Sequence, residues 1–182
     1  MHISDKDKLM TAYHEGGHTL MNLLTEGTLP LHKVTILPRG PALGFTAMLP
    51  DKDYHSQTRK EIIASIDVAL GGRIAEELIY GNDKITTGCS GDMNYATDQA
   101  YRYVRIFGMN PEVNLISASK DDLSDHFNYL IDQEVQSILS SSLQRSRELI
   151  HKNKPLLDKL AKELVSKETM SAEEVKKLLD LS

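Results

Sequence analysis

Tryptophan is missing from this chain of 182 residues, and its one cysteine, Cys89, stands alone. A lone cysteine makes no intrachain disulfide, so a disulfide-stapled scaffold is excluded and stability must come from a hydrophobic core. The chain is long enough to bury one, and its length fits a single domain. No apolar run approaches the roughly 20 residues that cross a bilayer, and the opening MHISDKDKLM lacks the apolar segment of a signal peptide. Lys and Arg total 21 against 26 Asp and Glu, a net charge of -5 with no concentrated basic tract. Phosphate neutralisation needs clustered cations, so this balance argues against a nucleic-acid partner. The 11 glycines include no GxxxxGK[ST] loop, which excludes a P-loop nucleotide site. Internal repeats and low-complexity tracts are also missing.

Amphipathic helices dominate what is present. From Asp7 to Thr25, Leu9, Tyr13, Leu20 and Leu24 mark one helical face. HKVTILPRGPALGFTAMLP mixes β-branched residues with Pro38 and Pro41, and predicts two short extended segments around an RGP turn in an edge position. A second helix opens with a capping box, Thr58 to Glu61, runs through Ile62, Ile66, Leu70 and Ile74, and stops at Gly81. A third, with Ser90 as N-cap, carries Met93, Ala96, Ala100, Val104 and Phe107 before Gly108 and Pro111 close it. The last third predicts a helix from Phe127 to about Ile150, another begun at Pro155, and a short one behind the Ser171 to Glu174 capping box. Their stripes, including Leu130, Ile131, Val135, Ile138, Leu156 and Leu160, predict a helical bundle. The expected fold class is mainly α (α+β), with a small edge strand or hairpin and a C-terminal helical bundle.

The first helix holds the motif that carries chemistry, HEGGH at residues 14–18. At about 100° per residue, His14 and His18 lie one above the other with Glu15 beside them, so both imidazoles can reach one metal. Neutral imidazole suits zinc, and a carboxylate that does not ligate can take a proton from an activated water and return it to the leaving amine. Glu15 is the candidate general base. On the same wheel Gly16 falls on the apolar arc and Gly17 at its edge, away from the histidines, so the glycines predict close packing of another element behind them.

A catalytic zinc takes a third protein ligand and keeps one open position. Spacing alone leaves several candidates. Asp92 sits in the first turn of the third helix, where an acidic residue also suits the helix dipole. Glu76 and Glu77 lie near the end of the second helix, where Glu77 can equally pair with Arg73. Cys89 is a possible soft ligand or simply a small buried residue. His32, His55, His126 and His151 fall in polar stretches and read as surface residues. The extended segment Gly44 to Met48 is a candidate edge for an extended peptide, or an ordinary edge strand.

Four blocks in order, AYHEGGHTL, VTILPRGPALGFTAMLP, DVALGGRIAEELIYG and ITTGCSGDMNYATDQAYRYVRIFGM, with the late KETMSAEEVKKLL, resemble the peptidase domain of the FtsH family of membrane-bound AAA+ zinc metalloproteases. The resemblance runs from about Thr11 to Leu179. It implies a zincin-like domain with His14, His18 and the aspartate of the TGxSxD block, Asp92, as zinc ligands and Glu15 as base; Glu76 stays a candidate for orienting a ligand histidine. Gly16 and Cys89 stand where the family commonly has alanine, and Gly91 where asparagine often stands; none of these removes a ligand. The resemblance further implies that residues 1–182 are a zinc metallopeptidase domain, residues 1–8 being a linker from an upstream ATPase domain. Its partners would be unfolded polypeptide substrates and, in the parent protein, copies of itself in a hexamer, with membrane contact only through upstream segments. The wording of the PRGPALG and GCSGD blocks points to the mitochondrial intermembrane-space-facing branch, hence the mitochondrial inner membrane, with the bacterial plasma membrane as the alternative. Two rival readings are a zinc aminopeptidase-like enzyme with a glutamate third ligand and a non-catalytic hexamer-forming module.

Overall fold

Four of the six α-helices among the described residues start where a short side chain satisfies a free N–H group. In the computed structural model, which describes residues 3–50, 56–113 and 123–182, Ser4 caps α1 (Asp5–Leu24) by accepting from the Asp7 N–H, and Asp5 and Asp7 suit the helix dipole. The helix begins two residues before the expected Asp7. A hairpin follows, β1 (Leu31–Thr35) and β2 (Phe45–Met48), antiparallel with Val34 opposite Thr46. The Thr58 to Glu61 capping box is formed in both directions at α2 (Arg59–Tyr80), and Gly81, at φ 88°, ends it.

The start of α3 (Ser90–Tyr101) corrects the sequence reading. Ser90 is the first helical residue, not the cap. A 3-10 turn, Thr87–Cys89, precedes it, and the side chain that caps that turn is Thr86, which accepts from the Gly88 N–H. The helix continues into a π turn, Arg102–Ile106, before Gly108 reverses the chain at φ 58°. Beyond it come α4 (Asp125–Lys152), capped by Ser124; α5 (Lys154–Lys167), with Pro155 in its first turn; β3 (Thr169–Ser171); and α6 (Ala172–Leu178), capped by Ser171.

A mainly helical domain with a small antiparallel sheet is therefore what forms, as the sequence predicts. The third strand was not expected: β3 pairs antiparallel with β1, giving the order β2-β1-β3 and leaving β2 at an edge. Two apolar clusters flank α2. On one side Leu20, Val34, Ile74, Leu157, Leu160, Leu164 and Met170 join α1, the sheet and α5. On the other, Ile62, Ile66, Leu70, Ala96, Ala100, Val104, Ile131 and Val135 join α2, α3 and α4. Serving both, α2 is apolar nearly all round, as a helix buried on two sides must be.

The glycines of HEGGH behave as the wheel predicts. A Cβ on Gly16 would meet Leu157 Cδ1 of α5 at 3.3 Å, and one on Gly17 would stand 2.3 Å from the carbonyl oxygen of Gly71 in α2. Bare backbone at Gly17 and Gly71 lets α1 and α2 cross at this closeness. The histidine face of α1, polar by sequence, is consequently covered by α2 rather than open to solvent.

Candidate active site

His14 and His18 are brought to one point by the turn of α1, and α3 supplies the third group. The distances are 3.1 Å between the two Nε2 atoms, 3.2 Å from His14 Nε2 to Asp92 Oδ2 and 3.1 Å from His18 Nε2 to the same oxygen. Their partners decide the tautomers. Val68 carbonyl oxygen, 2.8 Å from His18 Nδ1, can only accept, so that nitrogen carries the proton. Glu76 Oε1 lies 3.0 Å from His14 Nδ1 and accepts in the same way when ionised. Burial opposes its ionisation, but bonds from His14 and from the N–H and hydroxyl of Thr86 hold its carboxyl below the usual range.

With both Nδ1 atoms so engaged, two Nε2 atoms and a carboxylate oxygen face one another, an arrangement that either a proton on a ring or a metal cation resolves. The triangle fits zinc: donors about 2.0–2.1 Å from a tetrahedral centre stand about 3.3 Å apart. The electrostatics agree. Burial disfavours the charged form of His14, yet bonds with Asp92, Cys89 and Glu76 and the field of Glu15 override it and push the ring up to about 12. Burial likewise opposes the ionised form of Asp92, while the bonds from both histidines hold its carboxyl far below the ordinary carboxylate range. The cluster demands positive charge. Gly72 makes room for it, because a Cβ there would lie 2.6 Å from Cε1 and Nε2 of His14 and from Nε2 of His18.

The other sequence candidates fall elsewhere. Glu76, fully buried, sits on the Nδ1 side of His14 and not among the converging donors. Glu77 pairs with Arg147 of α4 at 3.1 Å, correcting the expected Arg73 partner. Cys89 is buried, 3.9 Å from His14 Nδ1; with Glu76 it could form a second donor set on that ring, but Nδ1 already serves the carboxylate. His32, His126 and His151 are exposed, as predicted, and His55 lies outside the described residues. Thr86 ties the parts together, since it holds Glu76 and also caps the turn that starts the Asp92 helix.

Glu15 and the histidines line a cleft of about 860 Å³, whose wall includes Leu43, Gly44, Phe45, Thr46 and Met48 of the hairpin. The edge strand β2 therefore borders the cluster. Thr46 Oγ1 donates to Glu15 Oε2 at 2.8 Å, a contact that sequence reasoning missed, as it missed the roles of Gly72, Val68 and Thr86. The doubled glycine of α2 was the one signal available for Gly72; the others depend on pairings between distant segments.

A model of peptidase family M41 matches residues 1–178. Over 179 residues the chain is 46% identical to an ATP-dependent zinc metalloprotease YME1 homolog of Schizosaccharomyces pombe, covering 97% of this chain and 25% of that protein. It is 39% identical to the human ATP-dependent zinc metalloprotease YME1L1, covering 98% and 23%. It is 40% identical over 191 residues to the ATP-dependent zinc metalloprotease FtsH of Rickettsia bellii, covering 98% and 30%. The chain thus spans about a quarter of the length of these relatives.

Proposed function

Because the chain belongs to peptidase family M41, we propose that it is a zinc-dependent endopeptidase domain whose metal is held by His14, His18 and Asp92 and whose general base is Glu15. The observation that carries this is the convergence of the three donor atoms, all within 4.8 Å of one another, beside the Glu15 carboxylate. Zinc bound there acts as a Lewis acid, acidifying a water and polarising the scissile carbonyl.

The remaining work falls to the chain's own groups. Glu76 and the Val68 carbonyl fix the rings with Nε2 turned inward and raise their donor strength. Glu15 takes the proton of the attacking water and later delivers it to the departing amine nitrogen. Edge strand β2 offers its outer N–H and C=O groups to an extended peptide, whose backbone would add a strand to the sheet beside the cluster. Recognition through backbone is tolerant of sequence and suits unfolded substrates. Among the described residues no helix is long and apolar enough to cross a membrane. We assign membrane anchoring, ATP-driven feeding of unfolded or membrane-extracted proteins and hexamer formation to the longer parent. Its compartment in this reading is the mitochondrial inner membrane, the bacterial plasma membrane being the alternative; one similar protein, from Arabidopsis thaliana, is named chloroplastic/mitochondrial.

Two substitutions test the roles separately. Glu15→Gln should retain zinc yet lose cleavage of an unfolded protein such as casein; undiminished cleavage would remove Glu15 from the mechanism. Asp92→Ala should lose zinc, and unchanged metal affinity would redirect the third ligand to another carboxylate.

A further inference from the structure

The carboxylate of Glu15 has two oxygens, and the structure treats them differently. Oε2 accepts from Thr46 Oγ1 at 2.8 Å. Among the described residues, Oε1 takes no hydrogen bond. The Thr46 hydroxyl has one hydrogen to give, and its other acceptor, the Glu15 carbonyl oxygen, is farther at 3.2 Å. A bond to an ionised carboxylate is the shorter and stronger kind, so the hydrogen belongs to Oε2. Thr19 Oγ1, fully buried, lies 3.4 Å from Thr46 Oγ1 and braces the hydroxyl from α1.

The backbone is built to allow this contact. Gly44, just before β2, shares with Thr46 the side that faces α1. A Cβ at Gly44 would stand 2.7 Å from the Thr35 carbonyl oxygen, 2.9 Å from Thr11 Cγ2 and 3.1 Å from Glu15 Cγ, so a bare residue lets the chain lie this close to both β1 and the Glu15 face of α1. A freely rotating glutamate would present either oxygen and several rotamers. Glu15 is instead held on one side by the strand that borders the cleft.

We propose that Thr46 is the positioning residue of the catalytic base: it anchors Glu15 Oε2 and so presents Oε1 as the oxygen that takes the proton of water and returns it to the amine nitrogen. This rests on the reading of Glu15 as general base. It also makes the edge strand more than a docking rail, because the strand proposed to bind the peptide backbone sets the aim of the base. Peptide pairing uses backbone groups of β2 and leaves the Thr46 side chain free for Glu15.

The test compares wild type with Thr46→Val, which keeps the shape and β-branching while deleting the hydroxyl, and with Thr46→Ser, which restores it. All three are zinc-loaded and assayed on a fluorogenic oligopeptide, and metal-free crystals of each report the Glu15 side chain. Displacing a reacting group by about 1 Å costs on the order of 100-fold. Thr46→Val should therefore lower kcat about 10- to 100-fold, with KM within about twofold and zinc content unchanged, and Thr46→Ser should recover most of the loss. In the crystals Glu15 should leave its place in the valine variant and keep it in the serine variant. Unchanged kcat in Thr46→Val, an equally poor Thr46→Ser, or a loss confined to KM would overturn the proposal. Should wild type itself cut no peptide, the peptidase reading of this chain fails, and the crystals alone decide the anchor: an unmoved Glu15 in Thr46→Val overturns it, a displaced one restored by serine upholds it.

Discussion

Replacing Gly72 by alanine should weaken the metal site without unfolding the domain. On an exposed helix that change stabilises by about 1 kcal/mol. Here the new Cβ would stand 2.6 Å from Nε2 of both His14 and His18. Neither ring can simply retreat, because Glu76 holds one at 3.0 Å and the Val68 carbonyl holds the other at 2.8 Å. Relief requires a ring to turn its Nε2 away from Asp92, which is the geometry that ligation needs. Overpacking of this kind costs about 1–3 kcal/mol. Charged to the metal-bound state, that weakens zinc roughly 5- to 150-fold, at about 1.4 kcal/mol per tenfold. Gly71→Ala is the control on the neighbouring face. Its Cβ would meet Gly17 oxygen at 2.7 Å and Met21 Cγ at 2.8 Å, forcing α1 and α2 apart. A backbone clash belongs at the upper end of that cost, so with the helix-propensity gain of about 1 kcal/mol subtracted a net loss of about 2 kcal/mol lowers the melting midpoint by roughly 4–8 °C in a chain of this size. Chelator competition measures zinc affinity, and circular dichroism melts of the metal-free proteins measure stability. Wild-type zinc affinity in Gly72→Ala, or a metal-free melting loss equal to that of Gly71→Ala, would show that Gly72 does not clear space for the metal-binding rings.

Glu76→Gln should weaken zinc about 10- to 100-fold, since the amide is a poorer acceptor for the His14 Nδ1–H; chelator competition showing no change would separate Glu76 from the site. Zinc affinity should also rise with pH. His14, pushed up to about 12 by Asp92, Cys89 and Glu76 against the opposing effect of burial, must shed its proton to ligate, so affinity tightens about tenfold per pH unit near neutrality. Calorimetry in two buffers of different ionisation enthalpy should count about one proton released, and none would contradict this. In the metal-free protein the same raised ring contributes stability fully below its ordinary value of 6.5 and loses it as pH climbs toward about 12, so the melting midpoint should fall along that range. Asp92 acts oppositely, contributing above its ordinary 3.8 and losing that contribution as acid titrates it. Away from the site, Arg145 clasps the buried Asp67 carboxylate with two bonds of 2.9 Å. Arg145→Ala should cost about 2–3 kcal/mol by leaving Asp67 unpaired, seen as a lower urea midpoint with cleavage of short peptides retained.

Local signals carried the helical part of this fold well. HEGGH, the Thr58 and Ser171 caps and the stop at Gly81 each act within one or two turns of chain, and they sit where local chemistry puts them. The same holds for Gly16 and Gly17, whose packing follows from the wheel. What depends on distant chain was not legible. β3 has three residues and no pattern of its own, and it exists because β1 offers it a partner more than 130 positions away. The Glu77 carboxylate found Arg147 on another helix in preference to Arg73 on its own. Asp92 was one acidic residue among several by spacing, and entered through family resemblance; its placement at the histidines follows from how the Thr86-capped turn launches α3. Thr46 belongs to the same class, an unremarkable strand threonine until the sheet lies against Glu15.

If His14, His18 and Asp92 hold the catalytic metal, peptide cleavage by this chain should depend on a single bound zinc. The most direct measurement is elemental analysis of the purified protein, paired with cleavage of an unfolded protein before chelation, after it, and after zinc is restored. The expected result is one zinc per chain, loss of cleavage with its removal, and recovery on its return. Cleavage that persists in a protein stripped of zinc would contradict it.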